Sequence, residues 1–582
     1  MDGYPVTQWP ITDGYFKALV RLDPGPNKLR FEYTAPKIPA FSTSMTVHML
    51  PLAASPPLQL AILLGKDSTG KYECHGERKE HDGNSTETAL KKLRMAAYLS
   101  QAFTGEQMYR ARLGRRCFRL EEEWGPDTLS NRTAGTMRNI AKVHVIRSES
   151  TVEEIRSLEK SQDGKGLRKV VQKAVSSYFG ATTAMRYVAV VVLDARGDLQ
   201  FKGISGHSAL CDGLGITGSL SLFTLPSCIE EVCPSFIDCT RISNSSDPSA
   251  SEFFWEAATA ALGNMMEAFL SPQTPIEPRN FVKVNRTFVT KEPYSLRAKS
   301  AGLRLSLPQE ECTWPRVDCL RFRYHPCFRL PPDPMPPALP DAPQVYAVDT
   351  GIVVCANSGI SLVLIYADGV YCDFLEYTSK PERELLLQED FIRSKLPSDK
   401  STPVIKLNIF SAGQGETTVE DLHATRGLKI QLPKGHGTVY KSAPSCHTAD
   451  GNSEAQEVLL LADKTLLGIR IFHNSNALEG LEFQYDDQVT QLFGHKGSDT
   501  ATVSEYPLEA RKGETLMGFC VRTGKVVDGI EILTSFGRRS SIFGNPQGGA
   551  MSNTLVPPRG RSIAGVAGTY SNCVDGFSIL YK

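Results

Sequence analysis

The sequence lacks the features that mark several large classes of protein. It has no apolar run long enough to span a bilayer, and its start, MDGYPVTQWPITDGYF, has neither the basic beginning nor the apolar stretch of a secretory signal. It also lacks an excess of charge, since 64 Lys and Arg balance 64 Asp and Glu, which argues against nucleic acid as the main partner. From these absences we predict an intracellular, cytoplasmic location.

Motifs of nucleophilic and phosphate chemistry are absent too. There is no G-x-S-x-G, and GISGHSALCDG brings Ser205, His207 and Cys211 close in sequence without the setting of a nucleophile elbow. The Gly-rich GLGITG (213–218) lacks the P-loop lysine and is predicted to be a loop. Without a secretory signal, the 14 cysteines are predicted to be reduced thiols.

The chain is long enough, at 582 residues, for three or four domains. Alternating apolar residues on both sides of the turn DPGPN predict a small β-sandwich over residues 1–70. Residues 71–329 mix helical patterns with buried-strand patterns, including a helix opened by Ser85 or Thr86 and the helical stretch EFFWEAATAALGNMMEAFL (252–270).

The second half is predicted to be mainly β. Residues 330–344 contain seven prolines and are predicted to form a stiff linker, and residues 345–436 return to short strands as a β-rich domain. A repeat then appears three times, as ALEGLEFQY, VVDGIEILT and CVDGFSILY, with its acids Glu479, Asp528 and Asp575 lying 49 and 47 residues apart. Three antiparallel units of this kind predict a prism with pseudo-threefold symmetry.

Two resemblances to known families rest on longer stretches. The stretches GIRIFHNSNALEGLEFQYDDQVTQLFGHKG, MGFCVRTGKVVDGIEILTSFGRRSSIFGNPQGG and LVPPRGRSIAGVAGTYSNCVDGFSILY resemble a jacalin-like lectin domain over residues 437–582. The stretches QAFTGEQMYRARLGRRCFRLEEEW, VNRTFVTKEPYSLR and DCLRFRYHPCFRLP resemble the fungal zinc metallopeptidases with a jacalin-like C-terminus, over roughly residues 15–440. The patterns and the resemblances together predict a multidomain α+β chain with an N-terminal β-sandwich, a zincin-like α/β middle, a small β-rich domain and a C-terminal β-prism I.

The resemblance also implies where zinc chemistry belongs. In that family a helix between a W-E-A segment and an N-R-(S/T)-F segment carries His-Glu-x-x-His, and these flanks match Trp255–Ala257 and Asn285–Phe288. Here none of the 11 histidines lies between His207 and His325, and Glu267 is the one candidate general base that is left among the replaced positions. We therefore expect a pseudoenzyme without peptidase activity and without zinc.

Two alternatives stay open. His207 and Cys211, with further cysteines after them, could hold a metal, which would make the chain an active zinc hydrolase with non-standard ligands. Buried thiols and a hydrogen-bonded histidine are the simpler interpretation of the same residues. The cleft could also have been reused for chemistry on a small molecule.

The jacalin resemblance implies a sugar site of the form G-x-x-x-D. The second repeat matches it fully, with Gly548 and Gly549 as a partner loop, whereas the third repeat has Ser571 in place of the glycine. The alternative is that each acid only caps the turn before its strand. The candidate carbohydrate-binding residues are Gly524, Lys525, Val526 and Asp528 in the second repeat and Asn572, Cys573 and Asp575 in the third.

Overall fold

The structure is a computed structural model, and it divides into two compact units, Met1–Pro334 and Met335–Lys582. The division falls inside the proline-rich segment. No helix within the described part of the chain is long and apolar enough to cross a membrane. The structure describes residues 4–582 except 13, 75–78, 81, 160–164, 181–185, 196–212, 221, 243–252, 271–312, 336, 338–339, 398–402, 432–437, 446–452, 498–500 and 550.

The first unit contains both helices and strands. Its strands are β1 (Ile11–Thr12), β2 (Tyr15–Phe16), β3 (Gly25–Ala35), β4 (Ile38–Met49), β5 (Pro57–Leu64), β6 (Arg119–Leu120), β7 (Glu122–Pro126), β8 (Met137–Ala141), β9 (Val143–Arg147), β10 (Tyr187–Val192) and β11 (Leu214–Gly218). Its helices are α1 (Thr86–Arg110), α2 (Val152–Glu159), α3 (Lys165–Phe179), α4 (Val232–Ile237), α5 (Phe254–Leu270) and α6 (Arg316–Arg323).

A parallel sheet forms the centre of the first unit. Its strands lie in the order β11, β10, β5, β9, with the short β6 paired to the start of β5. Alternate residues of β5 enter two different cores: Leu60 and Ile62 pack with α1 and α5, whereas Ala61 and Leu63 pack with α2 and α3. Helices therefore cover both faces of the sheet, which explains why its strands are continuous apolar runs.

Helix α1 is fixed at both its start and its middle. The side chain of Ser85 accepts a hydrogen bond from the backbone N–H of Thr88, as expected of the predicted cap. Lys92 is fully buried, and its ammonium group donates to the carbonyl oxygens of Phe223 (3.2 Å) and Leu225 (2.5 Å) and to Asp82 (3.1 Å). This buried cation ties α1 to the segment that follows β11.

Two predictions for this unit are wrong. Residues 1–70 do not form a sandwich: β3 and β4 make a two-stranded ribbon, and β5 is a strand of the parallel sheet. The local alternation cannot reveal this, because the partners of β5 lie far along the chain. The predicted loop GLGITG is the buried strand β11, and a side chain at Gly213 would meet the carbonyl oxygen of Arg186 at 1.8 Å.

The second unit is almost entirely β-structure, apart from α7 (Glu389–Arg393) and short turns of helix. Its first strands are β12 (Gln344–Val348), β13 (Gly351–Ala367), β14 (Val370–Glu376), β15 (Glu382–Gln388), β16 (Ile405–Ser411) and β17 (Glu416–Val419). The others are β18 (Lys429–Gln431), β19 (Thr438–Lys441), β20 (Glu454–Leu459), β21 (Leu466–His473), β22 (Leu478–Tyr485), β23 (Thr490–Gly494), β24 (Thr502–Pro507), β25 (Leu516–Thr523), β26 (Val527–Thr534), β27 (Phe543–Gly544), β28 (Met551–Leu555), β29 (Ile563–Tyr570) and β30 (Val574–Tyr581).

Strands β18 to β30 form three antiparallel sheets around one core. Each sheet is built on one predicted hairpin: β21 with β22, β25 with β26, and β29 with β30. Phe493, Phe519 and Phe577 come from the three different sheets, and the ring of Phe577 lies 5.7 Å from Phe493 and 5.3 Å from Phe519. The predicted prism is therefore present, and β18 shows that its first sheet begins before residue 437.

Strands β12 to β17 form a separate six-stranded sheet that shares part of the prism core. Tyr346 packs edge-on against Tyr581 at 5.5 Å, and the hydroxyl of Tyr581 donates to the carbonyl oxygen of Ala347 at 2.9 Å. The β-rich region and the prism thus belong to one compact unit.

Candidate functional site

Helix α5 stands where the resemblance places the zinc ligands, and its surroundings are apolar. Met266 and Leu270 lie one turn apart and are both fully buried in the core that α5 shares with α1 and the sheet. Between them is Glu267, which is half-buried, and burial raises the pKa of its carboxyl group. Met266 and Leu270 have the spacing of the two histidines in His-Glu-x-x-His, and neither side chain carries an imidazole that could bind zinc.

No other metal centre takes its place within the described residues, where no group of three or more His, Cys, Asp or Glu is arranged to hold a metal. His207 and Cys211 lie outside the described residues. Cys228 and Cys233 are described, and burial raises the pKa of both thiols, that of Cys228 to about 12. Burial therefore favours the protonated thiol over the thiolate that metals bind. The residues that the structure describes do not fit a zinc site.

In each of the three prism repeats, a hydrogen-bonded turn precedes the strand that carries the acid. The backbone N–H donates across the turn from Asn474 to Ala477 (3.0 Å), from Gly524 to Val526 (3.1 Å) and from Ser571 to Cys573 (3.0 Å).

Each turn leads into the strand that carries the repeat's acid. The acids differ in what surrounds them, because Glu479 and Asp575 are almost fully buried, whereas Asp528 is half-buried.

In the second repeat, glycines make room around the carboxylate of Asp528. A side chain at Gly524 would come within 3.0 Å of Oδ2 of Asp528, and one at Gly548 would meet its Cβ at 2.8 Å. Gly549 has a φ of +69°, in the left-handed region that favours glycine. The loop is held by Arg522, whose side chain donates to the carbonyl oxygens of Gly548 (2.8 Å) and Gly549 (3.2 Å).

This carboxylate has one buried oxygen. Oδ2 of Asp528 is buried and has no hydrogen-bond partner among the residues that the structure describes. Buried polar atoms are nearly always hydrogen-bonded, so this oxygen is suited to accept a hydrogen bond from a bound group. Lys525 and Val526 line the same turn, with Lys525 exposed and Val526 half-buried.

The third repeat brings its predicted residues together but closes the space around them. Asp575 accepts a hydrogen bond from the hydroxyl of Ser453 and is only 3% exposed. The carbonyl oxygen of Asn572 accepts from Nε2 of His495 at 2.8 Å. Burial raises the pKa of Cys573, and the nearby acids Asp575, Glu479 and Asp528 raise it further.

The sequence reasoning missed Arg522, Ser453 and His495. The repeat pattern could have pointed to Arg522, which lies two residues before Gly524 on the adjoining strand. Nothing local links Ser453 to Asp575, because 122 residues separate them.

The chain joins a unit with helices on both faces of a parallel sheet to a unit that contains a β-prism. The family described as "Putative peptidase family" matches residues 1–361, and "Jacalin-like lectin domain" matches residues 450–579. The chain belongs to this peptidase family and carries a jacalin-like domain at its C-terminal end.

Two relatives extend over almost the whole chain. A Saccharomyces cerevisiae protein named a "putative zinc metalloproteinase" is 33% identical over 645 residues, which cover 95% of this chain and 90% of the relative. A Schizosaccharomyces pombe protein of the same description is 33% identical over 599 residues, which cover 100% of this chain and 93% of the relative.

Solved lectins match about a quarter of the chain. Single-chain recombinant jacalin is 19% identical, and the match covers 26% of this chain and 98% of jacalin with a TM-score of 0.22. Artocarpin in complex with mannotriose is 18% identical, with 25% and 97% covered and a TM-score of 0.21.

Proposed function

We propose that this chain is a carbohydrate-binding protein whose peptidase-like unit has lost its zinc chemistry. The sugar site is the second-repeat turn of the prism, formed by Gly524, Lys525, Val526 and Asp528 with Gly548 and Gly549 beside it. The zincin-like fold of the first unit is part of the same proposal, and the packing of α5 beside α1 on the sheet supports it. An intracellular location is proposed too, supported by the free thiols of the 11 described cysteines.

The open carboxylate of Asp528 is the observation that carries the proposal. A sugar hydroxyl can donate to a carboxylate oxygen, and backbone N–H groups of a glycine turn can donate to other hydroxyls. Asp528 is only half-buried, and the glycines packed on two sides of it carry no side chains that would cover its exposed part, so a ligand can reach it. Asp575 has the same place in its repeat but already accepts from Ser453.

The loss of zinc chemistry is supported by the side chains of α5. Zinc in a peptidase needs ligand atoms of nitrogen, oxygen or sulfur in the thiolate form, and a nearby base that activates water. The fully buried Met266 and Leu270 provide a thioether and a hydrocarbon, and they contribute packing to the core instead. The candidate base Glu267 then has no metal-bound water to act on.

A glycan array probed with the full chain tests the sugar half of the proposal. We expect binding that is lost in Asp528→Ala and retained in Asp575→Asn, which keeps an acceptor for Ser453. The absence of binding to any glycan, or equal loss in both variants, would remove the second-repeat site.

Metal analysis tests the other half. The full chain, purified without chelator, is expected to contain far less than one zinc per molecule. A full equivalent of zinc would instead support a hydrolase that uses ligands such as His207 and Cys211, and hydrolysis of a small molecule that requires this metal would support a reused cleft.

A further inference from the structure

Three side chains of the first unit form a hydrogen-bonded chain far in sequence from the residues discussed above. Glu121 follows β6, His144 lies in β9, and Tyr178 lies in the last turn of α3. Oε2 of Glu121 is 3.0 Å from Nε2 of His144, and Nδ1 of His144 is 3.4 Å from the hydroxyl of Tyr178. His144 is only 6% exposed, whereas Tyr178 is 50% exposed, so the chain runs from the interior to the surface.

The hydrogen bonds define which nitrogen of His144 carries the proton. Burial alone would raise the pKa of Glu121, but hydrogen bonds from His144, Lys142 and Gln59 outweigh it and lower the pKa to about 2. Glu121 is therefore a carboxylate that can only accept, which assigns the proton to Nε2 in the neutral ring. Nδ1 is then an acceptor, and the hydroxyl of Tyr178 donates to it.

Tyr178, His144 and Glu121 are arranged like a nucleophile, a base and a group that orients the base. The hydroxyl has an imidazole within reach, and the imidazole is held by an ionised carboxylate, as in other activated nucleophiles. Lys142 donates to Oε1 of Glu121 at 3.0 Å and Gln59 donates to its Oε2 at 2.6 Å, which fixes the carboxylate in place.

Tyr178 also lines a cavity of about 430 Å³ between the end of β9 and helix α3. Its wall includes Ser148, Ser150 and Ser177, together with Lys173, whose ammonium group donates to Glu149 at 2.6 Å. The volume suits a small molecule. Serine hydroxyls can donate to polar oxygens, such as the carbonyl oxygen of an acyl group that becomes negative during attack.

We propose that Tyr178 is a nucleophile that takes the acyl group of a small activated acyl donor held in this cavity, with His144 as proton acceptor and Glu121 as positioning residue. The phenol oxygen forms a bond to the acyl carbon while its proton passes to Nδ1 of His144. The bond from the acyl carbon to the leaving group breaks, and the leaving group departs with the bonding electron pair. The product is O-acyl-Tyr178, and His144 returns its extra proton to water. This inference does not depend on sugar binding.

Acetylation by p-nitrophenyl acetate tests the proposal on the full chain. The reaction is followed by the release of p-nitrophenolate and by peptide mass spectrometry, which separates O-acetyl-Tyr178 from acetylated lysines. Tyr15 is the matched internal control, since it is 51% exposed and no histidine contact is found for it among the described residues. We expect Tyr178 to be acetylated at least about tenfold faster than Tyr15, a modest share of what general-base catalysis supplies.

Variants separate a positioning role from a structural one. Glu121→Gln keeps an acceptor for Nε2 but removes the charge that stabilises imidazolium, so the Tyr178 rate is expected to fall towards that of Tyr15 while the Tyr15 rate stays unchanged. His144→Gln should have the same effect, and if it does not fold, Glu121→Gln and Tyr178→Phe still decide the matter. A Tyr178 rate within about twofold of Tyr15, or one unchanged in Glu121→Gln, would overturn the proposal.

Discussion

Helix α5 and the second-repeat turn both stand where family resemblance places functional residues, yet their surroundings differ. On the helix, Glu267 lies between Met266 and Leu270, and both of these side chains are fully buried in the hydrophobic core. Around Asp528 the chain presents glycines and leaves a carboxylate oxygen without a partner in the described residues. A retained acid is therefore not enough to make a site, because the neighbouring side chains decide whether a ligand or metal can approach it.

The largest expected effect tests whether Met266 and Leu270 of α5 serve only to pack the hydrophobic core. Leu270→Ala should lower the free energy of unfolding of the first unit by about 2–5 kcal/mol, since it leaves a cavity among fully buried side chains. Urea unfolding followed by tryptophan fluorescence isolates this unit, because all four tryptophans (9, 124, 255 and 314) lie in it.

Asn264→Ala is the matched control on the same helix, because Asn264 is only half-buried. It should change the unfolding free energy by less than about 0.5 kcal/mol. If Leu270→Ala were as mild as Asn264→Ala, the apolar face would not be a packed core, and the contrast with the prism turn would fail.

The next effect compares the two prism acids directly. Asp575→Ala should destabilise the prism by about 1–3 kcal/mol, because Ser453 loses its buried acceptor. Asp528→Ala should have little effect on stability, since no partner is lost from the described chain. Hydrogen exchange of peptides from β30 and β26 measures both. Equal losses would mean that Asp528 also serves mainly to cap its turn.

A smaller effect tests the space beside Asp528. In Gly548→Ala, the new methyl group would meet Cβ of Asp528 at 2.8 Å and Nδ2 of Asn545 at 2.9 Å, so the loop must shift. With a glycan selected by the array, we expect affinity to fall about tenfold, which corresponds to about 1.4 kcal/mol.

Gly105→Ala is the control, because a side chain there would have no neighbour within 4 Å. Its affinity for the same glycan should equal that of the unchanged chain. Unaltered affinity in Gly548→Ala would place the sugar away from this turn.

The sequence could predict those features that depend on local pattern. The three hairpins of the prism and helix α5 were visible as alternation and helical spacing, and the threefold repeat of the hairpins predicted the prism. Contacts between distant residues were not visible: Ser453 with Asp575, Glu121 with His144, and the parallel partners of β5. The predicted sandwich failed for this reason, since a strand with both faces buried has no alternation that names its neighbours.

The smallest expected effect tests whether ionisation of Glu121 makes the stability of the first unit, but not that of the second, depend on pH. The pKa of Glu121 falls from its ordinary value of 4.5 to about 2 on folding, so its ionised form stabilises the folded chain above about pH 4.5. This contribution is lost as pH falls from about 4.5 through 2, and it should not exceed about 1 kcal/mol because the side chain is partly exposed. Glu121→Gln should therefore make tryptophan-detected stability less dependent on pH in this window, whereas the exposed Glu122→Gln should not. Hydrogen exchange of β30 should be the same in both variants, and a change there would show that the acid response is not confined to the first unit.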